Sequence, residues 1–98
     1  MQKRIAILGS TGSIGTQALE VISSHPDKFA VEVLTAQNNV DLLIRQSIRF
    51  KPNVVVIGNE ELYEQTRAAL ETYPIKVFCG PEAIAQVTAF DSVDMVLT

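Results

Sequence analysis

Gly9-Ser10-Thr11-Gly12-Ser13-Ile14-Gly15 is the stretch of this chain whose residue types and spacing best suit chemistry. A glycine-rich turn between a strand and a helix leaves backbone N–H groups unpaired, and these point along the positive end of the helix dipole. The guest such a turn accepts is an anion, a pyrophosphate above all. Gly9 suits the turn off the strand, Gly12 lets phosphates approach the backbone, and Gly15 allows helix and strand to pack closely. The spacing, Gly-x-x-Gly-x-x-Gly, is one residue longer at its first interval than the standard dinucleotide fingerprint. A turn kept only for chain reversal would also use glycine. The hydroxyls of Ser10, Thr11, Ser13 and Thr16 argue for phosphate, although such residues are ordinary turn and cap choices too.

A second cluster lies at Gln37-Asn38-Asn39, at the tip of the second predicted strand. In an NAD site this tip carries a carboxylate that binds the adenosine ribose and repels a 2′-phosphate. Here three amides take its place, which favours NADP over NAD, although no Arg or Lys stands beside them. Asn39 also suits a helix cap, and the two uses are compatible.

The remaining reactive types are scattered. Cys79 is the only cysteine and reads as a small core residue. His25, followed by Pro26, reads as a polar terminator after the first helix. Asp27, Asp41, Asp91 and Asp94 fall in separate loops or element starts, and Glu20, Glu60, Glu61 and Glu64 lie on solvated helix faces, so neither a catalytic residue nor a metal ligand is assigned. The net charge is −3, and Arg45, Arg49 and Lys51 form one basic edge, a solvated surface more than a nucleic-acid footprint. The apolar run behind Lys3 and Arg4 is too short for a signal sequence or a membrane span, and a cytoplasmic address follows by default.

The elements that must position these groups follow from hydrophobic periodicity. Strands are predicted at Arg4–Leu8, Ala30–Ala36, Asn53–Ile57, Lys76–Cys79 and Asp94–Thr98. Helices are predicted from Thr16 to Ser24, after Asn39 with Leu42, Leu43, Ile44 and Ile48 inward, from Glu60 to Thr72 behind an Asn59 cap, and from Pro81 through Val87. Strict alternation with near-continuous apolar strands predicts a single α/β domain, a doubly wound parallel sheet of Rossmann-like type, and the strand Val93-Asp94-Met95-Val96-Leu97, which resembles the one that crosses back beside the first strand, gives the expected order 4-3-2-1-5. At 98 residues, 47% hydrophobic and 19% charged, the chain has the composition of one ordinary globular domain of modest stability. The outer edge of the fifth strand is an exposed invitation to self-association.

Residues 7–22, His25-Pro26-Asp27-Lys28-Phe29, Ala36–Val40 and the closing Val93-Asp94-Met95-Val96 strand together resemble the N-terminus of the 1-deoxy-D-xylulose 5-phosphate reductoisomerases over nearly the whole chain. The resemblance implies an NADPH-dependent, homodimeric enzyme of non-mevalonate isoprenoid biosynthesis, which rearranges its deoxyketose phosphate and reduces it to 2-C-methyl-D-erythritol 4-phosphate with a divalent metal, magnesium or manganese. By position, Thr11, Gly12, Ser13 and Ile14 match the phosphate-cradling loop, and Gln37, Asn38 and Asn39 match the segment receiving the ribose and its 2′-phosphate. The chain departs from the family where Gln37 and Asn38 replace a glycine and an often basic residue. Family members run to several times this length, so residues 1–98 are expected to be a truncated NADPH-binding domain, inactive alone. Semialdehyde dehydrogenases use a similar turn, and a nucleotide-binding module without catalysis is the reading from another class. Ser13-Ile14 and His25-Pro26 favour the reductoisomerase.

Overall fold

Five strands run parallel in one sheet of order β4-β3-β2-β1-β5, the order expected from the sequence. The structure is a computed structural model and describes residues 2–98. In chain order the elements are β1 (Lys3–Ile7), α1 (Ser13–Ser23), β2 (Phe29–Ala36), α2 (Val40–Phe50), β3 (Val54–Ile57), a 3-10 turn (Glu60–Leu62), α3 (Tyr63–Ala69), β4 (Lys76–Cys79), α4 (Pro81–Val87) and β5 (Met95–Leu97).

Strand alternation divides the core between two faces. Ile5, Ile7, Leu34, Ala36, Val55 and Ile57 face α1, α2 and α3 and pack with Leu19, Ile22, Leu43 and Leu70. Ala6, Val33, Val54 and Val56 face α4 and pack with Val87. This division is what right-handed crossovers require: three crossovers march outward over one face, and the return to β5 passes over the other. The second face is the more thinly covered, since Phe78 and Val96, aligned with Val56 and Ala6, remain exposed.

The helices differ from the expectations in three respects. α1 begins a turn early, at Ser13, so Ile14 and Gly15 belong to its first turn and Gly12 is its cap. α2 buries Val40, Leu43, Gln46 and Ser47 while Ile48 is exposed, because the inward stripe follows positions 40, 43 and 47 and Ile48 lies about 100° past Ser47. The helix predicted from Glu60 to Thr72 splits into a 3-10 turn and a shorter α3. Asn59 accepts from Glu61 N–H and tightens the first turn, and buried Leu70 leaves the helix to fill the core below.

Glu32 marks an irregularity in β2. The pairing Ile5 to Val31 is followed by Ala6 to Val33, so Glu32 is the extra residue of a bulge that moves the inward register from one face to the other. Its carboxylate, nearly buried, accepts from Asn53 Nδ2 at 3.0 Å on both oxygens.

Candidate functional site

The glycine turn follows the end of β1 at the C-terminal edge of the parallel sheet. Gly9 has φ +73°, in the left-handed region where a side chain is strained, and turns the chain off the strand. Its N–H donates to Thr35 Oγ1 at 3.0 Å, and Ser10 N–H donates to Thr35 O at 2.8 Å. The turn is thereby tied to the end of β2, its neighbour in the sheet.

The N-terminus of α1 is left open. Gly12 offers no side-chain cap, whereas Asn39 Oδ1 caps α2 by accepting from Leu42 N–H at 3.3 Å. Gly12 N–H closes back on Gly9 O at 3.1 Å, but the N–H groups of Thr11, Ser13, Ile14 and Gly15 find no acceptor among the described residues. Several adjacent donors at the positive end of an eleven-residue helix are the physical requirement for a phosphate. A Cβ at Gly12 would meet only Gly9 O at 3.4 Å, ordinary contact, so the space outside this residue is open to a guest.

The hydroxyls do not all serve this cradle. Ser10 is fully buried and its Oγ donates to Gln46 Oε1 at 2.7 Å, so its expected role as a phosphate donor is overturned by its contact with α2. Thr16 Oγ1 donates backwards to Ser13 O at 3.0 Å. Thr11 and Ser13 keep hydroxyls with no partner among the described residues, and Ile14 presents a largely exposed side chain beside them.

Beside this cradle, the tip of β2 orients its amides through a relay. Glu61 N–H donates to Asn59 Oδ1, which turns Asn59 Nδ2 towards Asn38 Oδ1 at 3.0 Å. Asn38 Nδ2 is then directed away from Asn59, and Asn39 Nδ2 away from Leu42, so both exposed residues present donors outward. The side chain of Gln37 lies across Gly58, where an added Cβ would fall 2.6 Å from Gln37 Cδ. Asn59 was legible in the sequence only as a cap; its second contact is made 21 residues away. No titratable side chain occurs among residues 11–14 or 37–39, so oriented dipoles alone prepare this surface for an anion.

His25 and Cys79 play no part in it. His25 ends α1, its N–H donating to Ile22 O, and its ring meets Phe29 edge-on at 6.4 Å between centroids. Cys79 is half-buried at the end of β4, against the larger core cluster. Among the described residues no group of three or more His, Cys, Asp or Glu side chains could hold a metal, and no helix is long and apolar enough to cross a membrane.

Strand, open glycine turn and amide tip on one edge of a parallel sheet define a doubly wound, Rossmann-like domain with an uncapped helix start at that edge. Comparison with known proteins narrows the class. The chain belongs to the 1-deoxy-D-xylulose 5-phosphate reductoisomerase family, whose model matches residues 5–98. It is 56% identical over 98 residues to the reductoisomerase of Porphyromonas gingivalis, covering all of this chain and 26% of that protein. Among solved structures, the Zymomonas mobilis reductoisomerase in complex with NADPH superposes with TM-score 0.85 at 30% identity, over 88% of this chain and 23% of that one. A reductoisomerase in complex with NADPH, fosmidomycin and magnesium gives TM-score 0.91 at 28% identity, over 96% and 23%. The chain thus spans about a quarter of the length of the curated relatives it matches.

Proposed function

We propose that residues 1–98 form the NADPH-binding portion of an oxidoreductase that rearranges and reduces 1-deoxy-D-xylulose 5-phosphate to 2-C-methyl-D-erythritol 4-phosphate in non-mevalonate isoprenoid biosynthesis. The observation that carries this reading is the set of unpaired N–H groups at Thr11, Ser13 and Ile14, at the uncapped start of α1. Thr11, Gly12, Ser13 and Ile14 receive the pyrophosphate. Gln37, Asn38 and Asn39 receive the adenosine ribose and its 2′-phosphate, with the outward carboxamide donors of Asn38 and Asn39 as the polar contacts. When bound, NADPH supplies the hydride for the reduction; these residues hold and orient it.

The residues present do not fit a divalent metal, so the ion seen with relatives, and the substrate with it, would be held by parts of the full enzyme outside this alignment. We place the protein in the cytoplasm and the full enzyme in the homodimeric state, and the 98-residue chain self-associates through the open edge of β5 and exposed Met95 and Val96. A clean monomer in light scattering at high concentration would overturn the self-association.

Calorimetric titration of the chain with NADPH and with NADH tests the cofactor reading. Binding is expected to be weak, because the nicotinamide end lacks later strands to hold it, and tighter for NADPH. Equal affinities would overturn the role given to the amide tip, and absence of binding by either would overturn the site.

A further inference from the structure

Gln46 is a polar side chain on the buried face of α2, where the helix otherwise turns Val40 and Leu43 to the core. Its carboxamide is spent on one residue. Gln46 Oε1 accepts from Ser10 Oγ at 2.7 Å and Gln46 Nε2 donates to Ser10 O at 2.8 Å, both contacts buried. Thr35 holds the preceding N–H groups, of Gly9 and Ser10, so Ser10 is gripped by β2 and α2 together.

The grip on Ser10 O has a consequence one atom further along. Ser10 O and Thr11 N–H belong to the same peptide unit, and no peptide bond among the described residues is cis. In a planar trans unit the carbonyl and the N–H point in opposite directions. Drawing Ser10 O towards α2 therefore turns Thr11 N–H away from α2, and this N–H is the first in the turn without an internal acceptor.

We infer that Gln46 is a positioning residue for the cofactor: by holding Ser10 O it aims Thr11 N–H at the pyrophosphate, without touching the cofactor itself. The inference rests on the reading of residues 11–14 as the phosphate cradle. It gives α2 two functions, since the helix that starts at the amide tip also steadies the phosphate turn from its second turn.

The test uses the isotope-labelled chain and two probes, NADPH and adenosine 2′-monophosphate, which lacks a pyrophosphate. In the unsubstituted chain NADPH is expected to shift the amide resonances of Thr11–Ile14. Gln46→Met keeps length and removes both hydrogen bonds. It is expected to weaken NADPH by about tenfold and to shrink the Thr11 amide response, with adenosine 2′-monophosphate affinity within about twofold of the unsubstituted chain. An NADPH affinity within about twofold, or equal weakening of both probes as a general loss of structure would produce, overturns the inference. Should Gln46→Met fail to fold, Gln46→Asn decides: it keeps a carboxamide but draws it back by one methylene from Ser10 O, and is expected to weaken NADPH about tenfold with adenosine 2′-monophosphate within about twofold, whereas an unchanged NADPH affinity overturns the inference. If the unsubstituted chain shows no response to NADPH, the cradle reading falls before any variant is measured, and the inference falls with it.

Discussion

Gly15 in the first turn of α1 lies directly against the backbone of Gly9 and Ser10. A Cβ added to Gly15 would overlap the carbonyl oxygen of Gly9 and stand 2.6 Å from Ser10 Cα. Both neighbours are backbone, so no side chain can rotate to make room. Gly15→Ala is therefore expected to destabilise the domain by about 2–4 kcal/mol, as overpacking does, measured by urea denaturation. A loss below about 0.5 kcal/mol would mean that α1 can shift freely, contrary to its close packing on the Gly9–Ser10 turn.

Gly12 is the contrasting case. Its φ of −79° suits any residue and its Cβ position is open. Gly12→Val is expected to cost no more than about 1 kcal/mol as a poorer cap while abolishing NADPH binding, because the valine occupies the phosphate's place. Retained binding measured by calorimetry would put the pyrophosphate elsewhere.

Asn59 governs the direction of the Asn38 carboxamide. Asn59→Asp replaces the donor that faces Asn38 Oδ1 with a carboxylate oxygen, which removes the reason for Asn38 to present its donor outward and places negative charge beside the position proposed for the 2′-phosphate. The preference for NADPH over NADH is expected to fall by about tenfold. An unchanged ratio of the two dissociation constants would show that the relay does not set cofactor choice.

Asp94 makes acid stability measurable at the β1–β5 seam. It accepts from Arg4 N–H at 2.8 Å, and this hydrogen bond, aided by the Arg4 guanidinium 3.5 Å away, holds its carboxyl below the usual carboxylate range. A carboxylate lowered by folding contributes stability above its unfolded value, about 3.9, and loses it as pH falls through the folded value. Asp94→Asn should lack this loss, so the stability gap between the two proteins narrows below about pH 4. Glu64, whose carboxyl is also held below the usual range by its hydrogen bond from Arg67, is common to both proteins, so the difference between the denaturation curves is the readout. A gap that stays constant down to about pH 2.5 would assign the acid transition to other carboxylates.

These residues alone are expected to give no turnover of 1-deoxy-D-xylulose 5-phosphate at any magnesium or manganese concentration, since no convergent metal-ligand cluster stands among the described side chains. Loss of reduced-cofactor absorbance above the no-protein background would place the reaction centre inside this chain.

Sheet order, a glycine turn opening into α1 and the cap on α2 were legible in the sequence. Each rests on near neighbours: apolar runs bounded by turn residues, glycines spaced along one loop, and an asparagine three residues before the N–H it accepts from. What remained hidden depends on partners distant in the chain. The early end of α3 follows from Leu70 reaching the core, and the exposure of Ile48 from which stripe of α2 meets the sheet. Ser10 looked like a phosphate donor until α2, 36 residues on, brought Gln46 against it, and Asn59 looked like a cap until Asn38 stood beside it. Backbone preference acts over a few residues and is written in them. The direction of a hydroxyl or a carboxamide is decided by whichever partner the packed layers bring within about 3 Å, and that partner exists only in the tertiary structure.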